Sequence, residues 1–159
     1  VEEALAEIEL QMGRYLSLTT LTNAVVGLLT WGFLHLLGMP NAALWGALAG
    51  ILNFIPYVGA LVTIALIGIA ALVSFDTTNK ALLAAGGYFV INLIESNLVT
   101  PALLGKRLPL NVVALFVGLL FWGWIWGITG AVLAVPLTVM LKVICDHIEG
   151  MKVGVFLEN

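Results

Sequence analysis

The sequence predicts an all-α, polytopic integral membrane helical bundle built around two Gly/Pro-broken helical hairpins. Three observations carry that prediction. The 159 residues are 62% hydrophobic and only 9% charged, where a soluble domain carries about 25% charged residues, and the mean hydropathy is +1.12. Residues 15–75 and 108–141 contain no Asp, Glu, Lys or Arg, and roughly 20 apolar residues suffice for one crossing. Both long runs are interrupted, one at NFIPYVG (53–59), the other at GWIWGITG (123–130) and again at Pro136.

Residues 1–14 place Val1, Leu5, Ile8 and Met12 at spacings of three and four, with Glu2, Glu3, Glu7 and Glu9 largely on other faces. That pattern predicts an amphipathic cytoplasmic helix. Its acidity disfavours anionic lipid, which attracts Lys and Arg, and favours docking to protein. An acidic start is also unlike the basic end of a signal peptide, and the chain reads as a piece of something longer.

The membrane domain, 15–147, begins with a span over 16–37, long enough at about 1.5 Å per residue to reach roughly 33 Å. Gly38, Pro40 and Asn41 stop it. A first hairpin, 42–56 and 57–75, breaks near Pro56, which removes a backbone donor and frees the carbonyl of Leu52, while Gly59 relaxes the backbone further. The polar turn DTTNK (76–80) leads to a span over 81–100 that Pro101 ends or kinks, followed by a basic turn with Gly105, Lys106, Arg107 and Pro109. A second hairpin occupies 110–126 and 128–146, with its hinge at Gly127 and Gly130, and residues 148–159 form a cytoplasmic tail. Paired Gly/Pro-broken segments in two halves of a chain point to a transporter's binding region. The alternative is two ordinary helix pairs whose small residues four apart, Gly46 with Gly50, Gly123 with Gly127 and Gly130 with Ala134, serve close packing.

Each hairpin either returns to the face it left or crosses twice. Either way Arg14, Lys106, Arg107, Lys142 and Lys152, five of the six basic residues, fall on one side, which the positive-inside rule makes cytoplasmic. Lys106 and Arg107 are the topology anchors, and both termini come out inside. A net charge of −3 spread over the chain forms no basic patch, which argues against nucleic acid. Cys145 is the only cysteine, so an internal disulfide and a cysteine-based metal cluster are excluded. HExxH, GxSxG, GxxxxGK[ST] and CxxC are all missing from the sequence, and neither enzyme activity, a metal nor a cofactor is predicted.

Glu95 is the residue that most needs a reason. An acid within a span costs about 2.5–3.5 kcal/mol at the centre. Glu95 lies about 9 Å of helix from the basic turn, in the inner leaflet. Asn92, Glu95, Ser96 and Val99 share a helical face, with Tyr88 one turn earlier, while Asn97 and Thr100 point elsewhere. In the functional reading Asn92 and Glu95 line a water-accessible path where the carboxylate binds a cation or takes up a proton. In the structural reading Glu95 is an anchor, paired with Lys106 or Arg107 or capping a freed backbone group. Pro101 leaves the carbonyl of Asn97 without its helical donor, open to an ion, a substrate or water. Asn53, inside the first break, is a similar case. The predicted substrate or ion path is thus Asn53, Asn92, Glu95, Asn97 and Thr100. Phe121, Trp122, Trp124 and Trp126 form either an apolar gate or an interfacial belt, and His35 and His147 read as packed and solvated.

The motifs NFIPYVGA (53–60), IESNLVTPALLGKRL (94–108), WGWIWGITGAVLAVPLT (122–138) and LKVICD (141–146) together resemble the autoinducer-2 exporter family of bacterial membrane proteins, over residues 1–147 and over the C-terminal half of that family's usual chain. The resemblance implies a multi-pass inner-membrane protein, homo-oligomeric, exporting the quorum-sensing molecule autoinducer-2 (AI-2) in some members and exchanging sodium or lithium for protons in others. The family's motif residues fall here on Pro56 and Gly59, on Glu95 and Pro101 with Gly105, and on Gly127, Gly130 and Pro136.

The leading expectation is therefore a secondary transporter domain exporting a small signalling molecule such as AI-2. One alternative is a Na+(Li+)/H+ antiporter with Glu95 as the titrating residue, and another, of a different class, is a non-transporting membrane scaffold. Deleting residues 1–14 tests the role of the acidic helix: loss of assembly with intact flux per protomer, read by cross-linking and vesicle transport, assigns that helix to oligomerisation.

Overall fold

The computed structural model describes residues 1–104 and 112–147. Among them all regular structure is helical: α1 (Glu2–Leu37), α2 (Ala42–Leu52), α3 (Val58–Ser74), α4 (Thr78–Ile94), a π-helical turn (Glu95–Val99), α5 (Thr100–Leu104), α6 (Val112–Trp126), α7 (Ile128–Val132) and α8 (Ala134–His147). The chain divides into two compact units, Leu16–Gly105 and the remainder. Two helical runs, Glu2–Leu37 and Thr78–Leu103, are long and apolar enough to cross a bilayer. At about 16 Å, α2 reaches only half-way through a hydrocarbon core of roughly 30 Å.

The surface helix and the first span expected from the sequence are one helix of 36 residues. Nothing between residues 13 and 16 removes a backbone donor, and a lone glycine costs a helix only about 1 kcal/mol. The hydroxyls of Thr20 and Thr22 donate to the carbonyls of Leu16 and Leu18, both at 2.7 Å, which satisfies them without water as a hydrocarbon setting demands. Thr22, Asn23, Val26, Thr30 and Leu34 are the buried face. The helix ends in a Schellman turn: Gly38 N–H donates to the His35 carbonyl and Met39 N–H to that of Leu34, with Gly38 at φ 86°. A side chain at that φ would be strained, so glycine belongs there.

Helices α1 and α2 meet through glycine. A Cβ on Gly27 would lie 2.9 Å from the Gly46 carbonyl, one on Gly46 2.6 Å from Trp31 Cβ, and one on Gly50 2.9 Å from the Asn23 carbonyl. Such backbone-to-backbone approach is the packing that small residues permit in lipid.

The break between α2 and α3 falls at 53–57. Pro56 cannot donate to Leu52, and the Leu52 carbonyl accepts instead from Ile55 N–H at 3.1 Å, in a tightened turn. The carbonyl expected to be free is thus re-paired, and it is also pressed against Gly59, where any Cβ would collide with it. Tyr57, at φ 59° and ψ −52°, sits at the centre of a γ-turn closed by Val58 N–H on the Pro56 carbonyl. This positive-φ form of the γ-turn is rare and strained. Beyond it α3 packs on α4: Thr63, Ile67 and Ala71 on one side, Ala81, Ala84 and Tyr88 on the other, are all buried and recur every three to four residues.

Pro101 neither ends nor stops the last helix of this unit. The chain widens into the π-helical turn just before it and continues to Leu104. Thr100 N–H reaches the Glu95 carbonyl, and the five-residue register carries the helix past a residue with no donor.

In the other unit α6 packs against α7 and α8. Gly127, at φ 65° and ψ −137°, makes the break after α6, and Gly130 is pressed on the Trp122 carbonyl as Gly59 is on that of Leu52. The second interruption is at Leu133, not at Pro136 as expected. Pro136 lies in the first turn of α8, where a missing donor is tolerated, and its effect falls on the carbonyl four residues earlier, Val132. Gly118 lies against the Thr138 side chain, Trp122 stacks on Trp126 with ring centroids 5.4 Å apart, and Trp124 is exposed. Gly105, Lys106, Arg107 and the tail 148–159 lie outside the described residues.

Gly59→Ala is expected to destabilise the protein by about 2–3 kcal/mol through overpacking. Tyr57→Gly, by relieving the γ-turn at some cost in chain entropy, should leave stability unchanged or raise it by up to about 1 kcal/mol. Opposite shifts in thermal unfolding midpoints in detergent check the pair.

Candidate functional site

The first break brings together three asparagines that lie far apart in the sequence. Asn53, at the C-cap of α2, donates from Nδ2 to Asn23 Oδ1 on α1 at 2.8 Å. It accepts at Oδ1 from Asn92 Nδ2 on α4 at 3.1 Å. The result is a ladder of amides that crosses from α4 through the break to α1. Asn23 is only 3% exposed, and its own Nδ2 has no partner among the described residues.

Each rung has a local cause. The helical repeat of α1 puts Asn23 on the buried face with Val26 and Thr30. Pro56 ends α2 so that Asn53 stands at its last turn, with its N–H donating to Ala49. Asn92 follows Tyr88 by one turn on α4. Tyr88 is fully buried, and its hydroxyl lies beside the Thr63 and Asn92 side chains; Thr63 itself donates to the Gly59 carbonyl at 2.7 Å.

Glu95 occupies the next turn, at the start of the π-helical segment, and is half-buried. Its carboxylate accepts from the Thr100 hydroxyl and, at 3.3 Å, from the Ser96 hydroxyl. The sequence placed Thr100 on a different side from Glu95, and the π-turn corrects this, because in the wider turn residues five apart align. Asn97 does point elsewhere: it is exposed and its amide donates to the Leu93 carbonyl at 2.8 Å. The structure therefore joins Asn53 to Asn92 and Glu95 to Thr100, and sets Asn97 apart. A pairing of Glu95 with Lys106 or Arg107 lies outside the described residues. Among the described residues no cluster of His, Cys, Asp and Glu could hold a metal ion.

Sequence reasoning missed Asn23. The available signal was an amide in the middle of a span otherwise free of charge, on the same stripe as two threonines. Lys142 was read only as one of the five basic residues on the cytoplasmic side; it is 5% exposed within α8.

Comparison with known proteins decides the family. A profile described as AI-2E family transporter matches residues 1–150. The chain belongs to the AI-2E transporter family. The AI-2 transport protein TqsA of Escherichia coli is 37% identical over 139 residues, 87% of this chain and 40% of that protein. A protein of Borreliella burgdorferi with only a general transport-protein name is 35% identical over 150 residues, 94% of this chain and 41% of its own length. A similarly named Bacillus subtilis protein, YrrI, is 28% identical over 149 residues, 93% of this chain and 41% of its own length. The chain thus spans about two fifths of the relatives it matches. Membership makes it a membrane-embedded helical protein, and the ladder lies inside the matched region.

Asn53→Leu should cost about 1–3 kcal/mol, because it leaves two amides without a partner in an apolar interior. A double-mutant cycle with Asn23→Val is expected to give a coupling of about 0.6 kcal/mol, the mean for such bonds within membranes, and at most about 1.7 kcal/mol. Chemical or thermal unfolding in micelles measures it, and a coupling near zero contradicts the rung.

Proposed function

We propose that this chain is part of a secondary transporter of the bacterial inner membrane that exports a small, uncharged signalling molecule, AI-2 or a solute like it, along a path that passes the asparagine ladder. The observation that carries this reading is a set of hydrogen-bonding groups without formal charge, Asn23, Asn53 and Asn92, gathered at a helix break inside an apolar unit. Transporter sites are typically formed at such interrupted helices, and amides recognise neutral polar solutes without the cost of burying an ion. The similarity to a protein named for AI-2 transport supports the same choice.

The basic residues favour cytoplasmic termini. At about 54 Å, α1 exceeds the roughly 30 Å hydrocarbon core. The excess matches the acidic first fourteen residues, which then stand outside the membrane and can dock a second copy of the chain, as a homo-oligomer requires. Pro56, Gly59, Gly127 and Gly130 supply the hinges.

Na+(Li+)/H+ exchange through Glu95 is favoured by one observation of its own: the Ser96 and Thr100 hydroxyls lie on the Glu95 carboxylate, which gathers three oxygen-bearing side chains, the ligand type that hard cations take. Flux of AI-2 and, separately, of Na+ into vesicles carrying the full-length protein tests the two readings. Export predicts AI-2 flux that survives Glu95→Gln with its pH and sodium dependence unchanged. Exchange predicts Na+ flux that Glu95→Gln abolishes. A protein that moves neither is a scaffold.

A further inference from the structure

Three buried side-chain donors in residues 16–105 have no acceptor among the described residues: Asn23 Nδ2, the Thr30 hydroxyl and the Tyr88 hydroxyl. Asn23 is distinguished by its place. Both bonds of the ladder run the same way: Asn92 donates to Asn53, and Asn53 donates to Asn23. The amide dipoles are aligned, so each bond polarises the next, and the series terminates in an N–H group on α1. Tyr88, beside Asn92, lies at the opposite end. The close approach of Gly50 to the Asn23 backbone holds that end of the ladder in a narrow crossing of α1 and α2, at 3% exposure.

We infer that Asn23 Nδ2 is a binding point for an uncharged oxygen acceptor, a hydroxyl or carbonyl oxygen of a small polar solute, which displaces a water from the same position. A buried amide N–H left bare is costly, so an acceptor there repays its own desolvation. A cation is the wrong ligand for this end, because the group presents a partial positive charge and residues 15–75 contain no carboxylate to hold a positive ion. Cation chemistry, if the protein has any, belongs to the Glu95 end. That the solute is cargo rests on the transport reading; that the site takes an oxygen acceptor does not.

Two measurements on the full-length protein in lipid nanodiscs test this. The first is a cryo-EM map at a resolution that shows ordered water, without and with millimolar AI-2. A water-sized feature is expected within about 2.7–3.2 Å of Asn23 Nδ2, replaced by a larger one when AI-2 is added, and Asn23→Leu should remove both. An Asn23 amide surrounded only by apolar atoms, or a water unchanged by AI-2, overturns the inference. The second is vesicle flux of Asn23→Ser, whose hydroxyl can donate to the carbonyl four residues back and still accept from Asn53, with no N–H left over. AI-2 flux should fall about tenfold, the worth of one such hydrogen bond, and undiminished AI-2 flux overturns the inference. Should the unmodified protein move no AI-2 at all, the transport reading fails, and the map alone decides the site.

Discussion

Asn53 stands where α2 has run out of helix, and its side chain ties that end to two other helices. One amide group donates to α1 and accepts from α4, so three segments meet at a single residue whose two functions cannot be separated. The surroundings make the arrangement consequential. In an apolar interior an unpaired amide is expensive, so Asn23 and Asn92 depend on Asn53, and the position of the break depends on all three. The strained turn at Tyr57 persists because the ladder on one side and the Gly59–Leu52 contact on the other over-determine the backbone between them.

The rest of the Leu16–Gly105 unit follows from what lipid withholds. Hydrophobic attraction gives helices little reason to associate when the solvent is itself hydrocarbon, and close packing and satisfied polar groups must take over. Hence the glycines at 27, 46 and 50, which let backbones touch, and the threonines that turn back onto their own helix. The π-helical turn belongs to the same logic. Pro101 removes a donor in a span that water does not reach freely, and the wider turn restores continuity while it swings Thr100 onto Glu95.

Much of this was legible in the sequence. The charge-free runs and the proline and glycine punctuation identified the helices and both breaks, because composition and backbone chemistry act locally. Asn53 and Asn92 were recognisable as polar residues in apolar surroundings. Their partnership was not, since 39 positions separate them and hydrogen bonds between helices leave no spacing rule in the chain. Asn23 went unnoticed for the same reason. Thr100 was misplaced because a helical wheel assumes 3.6 residues per turn, and the π-turn abandons that period within five residues. The interruption placed at Pro136 lies at Leu133, since proline disturbs the carbonyl behind it more than its own position.

By itself, the sequence determined that this is a helical membrane protein, where the tips of its two hairpins lie, and which family motifs it carries, all of them consequences of local polarity and local backbone chemistry. The tertiary structure alone decided which amides meet, which way their bonds run, and that Glu95 faces Thr100. Those outcomes depend on the approach of helices distant in the chain and on the register of one widened turn, and neither is encoded in any single window of residues.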